Sequence, residues 1–272
     1  MSLIHFNFES QYLQGNTDIN IILPDKPREI DAKEFYGSQK YKVLWLLHGT
    51  YGDYSDWLRK SNIELYACER NLAVVMPSAL NSDYAAWPKF SLGYDAYRYF
   101  LDELMPAVQS WFPVSDKRED NYIAGLSMGG WGSCVYAFNH PEKFCGMAAL
   151  SGVPINMKEA NGNEALDGRT AVQIDNAGGL QAYLKSPFNI WDRAAEMQKA
   201  PPVKMYFSCG DRDPIMYSHY IQFRQYAGKI GLQATFEEMQ GYSHEWRFWD
   251  LSIQRALDFF EIKLSQPAGN AY

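Results

Sequence analysis

A serine, a carboxylate and a histidine, each standing just after a short apolar run, are the residues of this chain whose types and spacing could do chemistry. The serine is Ser127, inside Gly125-Leu126-Ser127-Met128-Gly129-Gly130. The carboxylate is one of the pair Asp211 and Asp213 in Cys209-Gly210-Asp211-Arg212-Asp213-Pro214. The histidine is His244, ending Gly241-Tyr242-Ser243-His244. A serine hydroxyl is a weak nucleophile at neutral pH, so an imidazole must take its proton as it attacks. A carboxylate behind the imidazole holds the required tautomer and stabilises the imidazolium. On its own the G-x-S-x-G pattern recurs by chance and fits a plain Gly-rich strand-to-helix loop. The chain order Ser, acid, His gives it weight, because that is the order of nucleophile-elbow hydrolases.

The assignment follows as Ser127 nucleophile, His244 base and Asp213 orienting acid. Asp211 fits a Gly-Asp turn better, whereas Asp213 precedes Pro214 at the mouth of the next helix. Four other histidines compete with His244. His5 falls in an edge strand, His140 ends a helix before Pro141, and His219 suits a surface or packing role on a helix. His48, before Gly49, reads as a loop-positioning residue. His244-Glu245 opens an H-E-x-x-H pattern, but Phe248 stands where the second histidine is needed, so a zinc-protease reading fails. The oxyanion of a tetrahedral intermediate would be met by two backbone N–H groups. One belongs to Met128, directly after the nucleophile, and the other to Thr50 in the loop after an earlier strand. Tyr51, Tyr84, Trp87, Phe90, Trp131 and Trp246 could line an acyl or aryl pocket, although each taken singly also fits a core position. Tyr51, Trp87, Trp131 and Trp246 are carried forward as candidate substrate contacts. No metal site and no cofactor motif is present, and the absence of G-x-x-x-x-G-K-[ST] leaves nucleoside triphosphate chemistry without support.

Elements must exist to bring these groups together. Residues 3–9 and 17–23 read as strands joined through Gln14-Gly15-Asn16, an antiparallel hairpin. Residues 24–40 are a polar connection. Buried strands are expected at Tyr41–Leu47, Leu72–Pro77, Asn121–Ala124, Phe144–Leu150, Val203–Ser208 and Ala234–Met239. Helices are expected at Trp57–Arg70, Tyr94–Phe112, Trp131–Phe138, Ile190–Lys199, Met216–Lys229 and Glu245–Leu264. Ser78–Leu92 reads as a loop, residues 153–190 as an insertion or lid with little periodicity, and Ser265–Tyr272 as a disordered tail. Alternating strands and helices predict an α/β fold. Its sheet is mainly parallel and twisted, with an N-terminal antiparallel hairpin and helices on both faces. Such sheets bind ligands at their strand C-termini, where all three chemical residues fall. A single domain is expected over residues 1–264.

Composition narrows the function class. Hydrophobic residues make up 47%, enough for a large core, while a net charge of −7 and a pI near 5.3 argue against a general nucleic-acid binder. Four cysteines, with no C-x-x-C among them, read as reduced thiols. The N-terminus lacks the pattern of a signal peptide. The longest strongly apolar run, Val43–Leu47, is too short for a bilayer. A cytoplasmic protein with a small-molecule partner is therefore expected, with neither nucleic acid nor membrane as partner and with a homo-oligomer left open.

With these residues in place, the chain resembles the esterase D branch of the α/β-hydrolases, and within it the bacterial tributyrin-esterase type. The resemblance rests on Leu46-Leu47-His48-Gly49 with Trp57, Val74–Pro77, Gly93-Tyr94-Asp95, Gly125–Gly130, Ser186-Pro187, Cys209-Gly210 with Asp213, and His244-Glu245-Trp246. It implies the α/β-hydrolase fold, the triad Ser127, Asp213 and His244, and metal-free hydrolysis of short acyl esters. Relatives of this branch include S-formylglutathione hydrolases, feruloyl and acetylxylan esterases, and mycolyltransferases. The S-formylglutathione hydrolases typically carry a Ser-Gly pair and a Cys in the oxyanion loop, and a His before the nucleophile. Here His48-Gly49 and Leu126 stand instead, which ranks ester above thioester hydrolysis. The expectation is a serine carboxylesterase for acetyl, short acyl or aryl (feruloyl) esters. A thioesterase or acyltransferase on the same triad, or a non-catalytic binding module, are the alternatives.

Overall fold

Runs of consecutive buried apolar residues become the middle of a sheet, because only a strand covered on both faces can bury every side chain. The computed structural model describes residues 2–25, 31–36, 40–159 and 164–264. The expected tail and parts of the 24–40 and 153–190 segments lie outside them. In order, β1 (Ser2–Ser10) and β2 (Gly15–Leu23) form the hairpin, followed by α1 (Ala32–Tyr36), β3 (Val43–Leu47), α2 (Asp56–Lys60), α3 (Ile63–Glu69) and β4 (Ala73–Pro77). A two-stranded ribbon, β5 (Ala86–Trp87) and β6 (Tyr94–Asp95), leads into α4 (Ala96–Arg98), a π-helical stretch (Tyr99–Leu104) and α5 (Met105–Trp111). Then come β7 (Asn121–Leu126), α6 (Met128–Asn139), β8 (Gly146–Leu150), α7 (Glu164–Asn176), α8 (Leu180–Lys185) and α9 (Ile190–Arg193). The chain finishes with β9 (Lys204–Gly210), α10 (Tyr217–Ile230), β10 (Thr235–Met239) and α11 (Trp246–Phe259).

The sheet has eight strands in the order β1-β2-β4-β3-β7-β8-β9-β10. β2 runs antiparallel to both its neighbours, and the pairs from β4 through β10 are all parallel. Alternate residues of the central strands face two cores. Trp45, Leu47, Ile123, Met147 and Phe207 pack with α5, α6 and α10, while Leu44, Leu46, Ala124, Leu150 and Tyr206 pack with α3 and α11. The chain leaves β3 to form β4 on one side and returns to form β7 on the other. The crevice between the C-terminal ends of β3 and β7 is thus a topological switch point, where open α/β sheets bind ligands.

Several expected elements differ in detail. The Ile190–Lys199 helix is α-helical only over Ile190–Arg193 and resumes as a 3-10 turn at Glu196–Lys199, and the last helix ends at Phe259. The Trp57–Arg70 helix divides at Ser61, which is extended and whose hydroxyl donates to the Trp57 carbonyl at 2.5 Å, competing with the helical ladder. The Tyr94–Phe112 helix starts two residues later, because Tyr94 and Asp95 pair with Trp87 and Ala86. The Asp95 side chain then accepts from the Arg98 N–H as a cap at 2.9 Å. Its middle widens into π-helix just before Pro106, whose ring lacks an N–H and would crowd the carbonyl four residues back. The 153–190 segment holds two helices, α7 and α8, where its sequence shows little apolar periodicity.

Candidate active site

The position of Ser127 is built by close backbone packing. β7 is wholly buried and enters a turn at Ser127, whose backbone is held at φ 51° and ψ −116°. A non-glycine residue in such a region is strained by about 1–3 kcal/mol and persists only when its surroundings hold it there. Here the Ser127 N–H donates to the Leu150 carbonyl at 2.8 Å, and its own carbonyl accepts from Trp131 N–H at 3.0 Å. Two glycines make the turn fit. A Cβ on Gly125 would meet the Gly129 backbone, and one on Gly129 would meet the carbonyl oxygens of Leu47 and His48.

Asp213 follows β9 and is almost wholly buried. One carboxylate oxygen accepts from the Ile215 and Met216 N–H groups, both at 2.9 Å. The other lies 2.7 Å from His244 Nδ1, and His244 Nε2 lies 3.0 Å from Ser127 Oγ. Burial pushes the Asp213 carboxyl up. The hydrogen bond and charge of His244, with the two N–H groups, outweigh it and hold the pKa below the usual carboxylate value. Asp213 therefore stays ionised and accepts from Nδ1–H, which leaves the Nε2 lone pair facing the serine hydroxyl. Trp249 stands edge-on to the imidazole, with ring centroids 4.9 Å apart. Trp249 also borders the cleft.

The rival residues are occupied elsewhere. Asp211 accepts from Gly241 N–H at 2.6 Å, the turn role expected of it. His48 is buried, donates from Nδ1 to the Gly49 carbonyl at 2.7 Å and accepts at Nε2 from Ala79 N–H at 2.9 Å. Burial lowers its pKa against the opposing pull of the Gly49 carbonyl, so it is a neutral brace between two loops. His5 pairs with Asp18 on the edge hairpin, His140 bonds Tyr97, and His219 is buried on α10. The cysteines are free. Cys209 Sγ sits 3.9 Å from Asp213, and burial pushes its thiol strongly up, so it stays protonated.

Ser127, His244, Thr50 and Met128 all border a cleft of about 760 Å³ at the switch point. Met128 opens α6, and the first N–H groups of a helix have no acceptor within it. Trp131, Ile155, Met157, Val172 and Met216 give the cleft apolar walls. All four candidate contacts, Tyr51, Trp87, Trp131 and Trp246, line it, with Tyr51 at its rim 92% exposed. Tyr84 and Phe90 do not. Tyr84 is buried with its hydroxyl donating to the His48 carbonyl, and Phe90 points outward against Tyr94. A smaller apolar cavity of about 210 Å³ adjoins the cleft, sharing Trp87 and Trp131 and closed by Tyr183 and Phe188. Among the described residues no group of His, Cys, Asp or Glu is arranged to hold a metal ion, and no helix is long and apolar enough to cross a membrane.

Sequence reasoning missed the residues that α7 brings to the cleft. Arg169 forms an ion pair with Asp83 and donates to Thr50 Oγ1, and Gln173 donates to the same Asp83. The signal was polar, since Arg169, Gln173 and Asn176 stand at helical spacing.

Comparison with known proteins gives one answer at several distances. Residues 10–260 match the family described as putative esterase. An acetyl esterase of Caldicellulosiruptor saccharolyticus is 32% identical, over 95% of this chain and 98% of its own. Among solved structures, an S-formylglutathione hydrolase of Staphylococcus aureus superposes with a TM-score of 0.77 at 29% identity, covering 95% of this chain and 98% of its own. A fluorophosphonate-binding serine hydrolase of the same organism gives a TM-score of 0.78 at 29% identity and the same coverage. A ferulic acid esterase of Anaeromyces mucronatus, at 17% identity over 100% of this chain and 92% of its own, shares the fold with a TM-score of 0.65.

Proposed function

Since the chain belongs to the putative esterase family and is a hydrolase of carboxylic ester bonds, we propose that it works as a serine esterase through an acyl-enzyme on Ser127, His244 and Asp213. The hydrogen-bonded line from Asp213 through both ring nitrogens of His244 to Ser127 Oγ carries this reading. Ser127 Oγ attacks the ester carbonyl as its proton passes to His244 Nε2. Ionised Asp213 stabilises the imidazolium that results. The oxyanion is met by the N–H groups of Met128 and Thr50, both beside Ser127 on the cleft. His244 then protonates the departing alcohol oxygen. Water, deprotonated by the same nitrogen, attacks the acyl-enzyme and releases the acid.

Acetyl and other short acyl esters are the proposed substrates, supported by the acetyl esterase relative and by the apolar walls at Trp131, Ile155 and Met157 beside the nucleophile. Aryl esters such as feruloyl are a wider part of the same proposal, since the cleft holds far more than an acetyl group. Thioester hydrolysis is a second reading, favoured by the likeness to an S-formylglutathione hydrolase over nearly the whole chain. Acyl transfer is the remaining alternative on the same triad. The test is hydrolysis of p-nitrophenyl acetate by Ser127→Ala, which should fall on the order of 10⁴-fold or more while far-UV circular dichroism is unchanged. Activity retained in that variant would sink the assignment. A panel of acyl, aryl and thioester substrates, with added alcohol or thiol acceptors, ranks the three chemistries.

A further inference from the structure

Arg169 lies on α7, far in sequence from every residue of the triad, yet its guanidinium reaches the loop that carries Thr50. Nη1 donates to Thr50 Oγ1 at 2.5 Å, while Nε donates to Asp83 Oδ2 at 3.0 Å and Nη2 to Asp83 Oδ1. Asp83 is buried, its side chain 6% exposed, and it takes a further bond from Gln173 at 2.6 Å. Its backbone sits in the left-handed region at φ 54°, beside Tyr84 at φ 55°. A planar guanidinium held in both arms of a carboxylate has little rotational freedom left. Its third donor is thereby aimed at one place, and the Thr50 hydroxyl occupies that place. The same loop is held from its other side, where Tyr51 N–H donates to Asn81 Oδ1 at 2.8 Å.

We propose that Arg169 is a positioning residue for the reaction. Locked by Asp83, it fixes the Thr50 side chain and through it the angle at which the Thr50 N–H meets the developing oxyanion. The inference rests on the serine-esterase proposal and adds to it a residue whose hydrogen bonds go to Asp83 and Thr50 rather than to the triad. An oxyanion donor acts only when aimed at where charge develops, and its benefit belongs to the transition state. Loosening its aim therefore lowers kcat and kcat/KM together and leaves KM nearly unchanged. A residue that merely held α7 against the body would move KM or the melting temperature instead.

The experiment is a double-mutant cycle in p-nitrophenyl acetate kinetics with Thr50→Val and Arg169→Met. Thr50→Val keeps the backbone N–H and the side-chain shape and removes only the acceptor that Arg169 uses. Each single variant should lose about tenfold in kcat, a partial loss beside the 10²–10³ of deleting a donor outright, with KM within twofold of wild type. The double variant should be no slower than the slower single one, because both changes break one link. Wild-type kcat in Thr50→Val, or losses that multiply in the double variant, would overturn the proposal. Should Arg169→Met fail to fold because Asp83 is left buried without its cation, Thr50→Val alone still decides. Failure here is distinct from failure of the esterase mechanism, which shows as turnover surviving Ser127→Ala.

Discussion

Asp213 is the residue whose environment says most about the chemistry. Its two oxygens are divided, one taking backbone N–H groups and the other taking His244. Asp213→Asn keeps the shape but offers an amide that donates toward Nδ1, which favours the wrong tautomer. It should reduce kcat about 10⁴-fold while leaving the protein folded, as steady-state kinetics beside circular dichroism would establish. The same carboxylate has a signature in stability. Its folded pKa lies below its unfolded value, so its contribution is fully present above the unfolded value and is lost as pH falls through the folded one. The urea-unfolding gap between wild type and Asp213→Asn should therefore narrow as pH drops below about 4. A gap that stayed constant between pH 6 and pH 3 would contradict this linkage. The three residues that the structure lines up by hydrogen bonds, Asp213, His244 and Ser127, stood out in the sequence because each follows an apolar strand and sits among turn residues. Trp87 was carried forward over Tyr84 and Phe90 without a physical signal, since an aromatic in a loop gives no sign of whether it turns inward, outward or toward the cleft.

At the scale of elements, the decisive contact is that of α6 with the end of β3. Gly129 lets the helix start directly under the Leu47 and His48 carbonyls, and this sets where Ser127 projects. Gly129→Ala places a Cβ against rigid backbone, so either α6 or β3 must shift. The expected cost is about 1–3 kcal/mol in chemical denaturation. A displacement approaching 1 Å at Ser127 would add a loss in kcat on the order of 10²-fold. An alanine variant with wild-type stability and kcat would show that the packing is looser than these contacts require. This glycine was legible only as part of the G-x-S-x-G turn between a strand and a helix. The π-helical stretch before Pro106 was not, as apolar residues keep an almost helical rhythm through it. α7 escaped for a different reason. Its docked face is built from Arg169, Gln173 and Asn176, which bind Asp83, Thr50 and the Ala86 carbonyl. A periodicity search that follows apolar residues passes over a helix held by polar ones.

Across the whole molecule, the parallel sheet and α7 are stabilised by different physics, and this should divide their motions. β3, β4, β7 and β8 are buried along their entire lengths between two apolar cores. Exposing them means losing both cores at once, so their amides should exchange only through global unfolding. α7 lies over the cleft, with most of its described side chains half-buried or exposed, and it attaches mainly through hydrogen bonds and one ion pair. Hydrogen bonds to water replace such contacts at a net cost of about 0.5–1.5 kcal/mol for a neutral pair and about 1.5–3 kcal/mol for those to the Asp83 carboxylate, still less than losing an apolar core. α7 should therefore open locally at a free energy well below that of the sheet. Native-state hydrogen exchange in low urea separates the two. Amides of residues 168–176 should exchange faster than those of β7 at a rate nearly independent of urea, while β7 should show the steep dependence of global unfolding. Added salt screens the Arg169–Asp83 pair only weakly, because Asp83 is buried, so this opening should change little between 0.05 and 0.5 M salt. If residues 168–176 instead shared the β7 urea slope, α7 would belong to the same cooperative unit as the sheet. α7 would then leave the wall of the cleft only when the whole molecule unfolds.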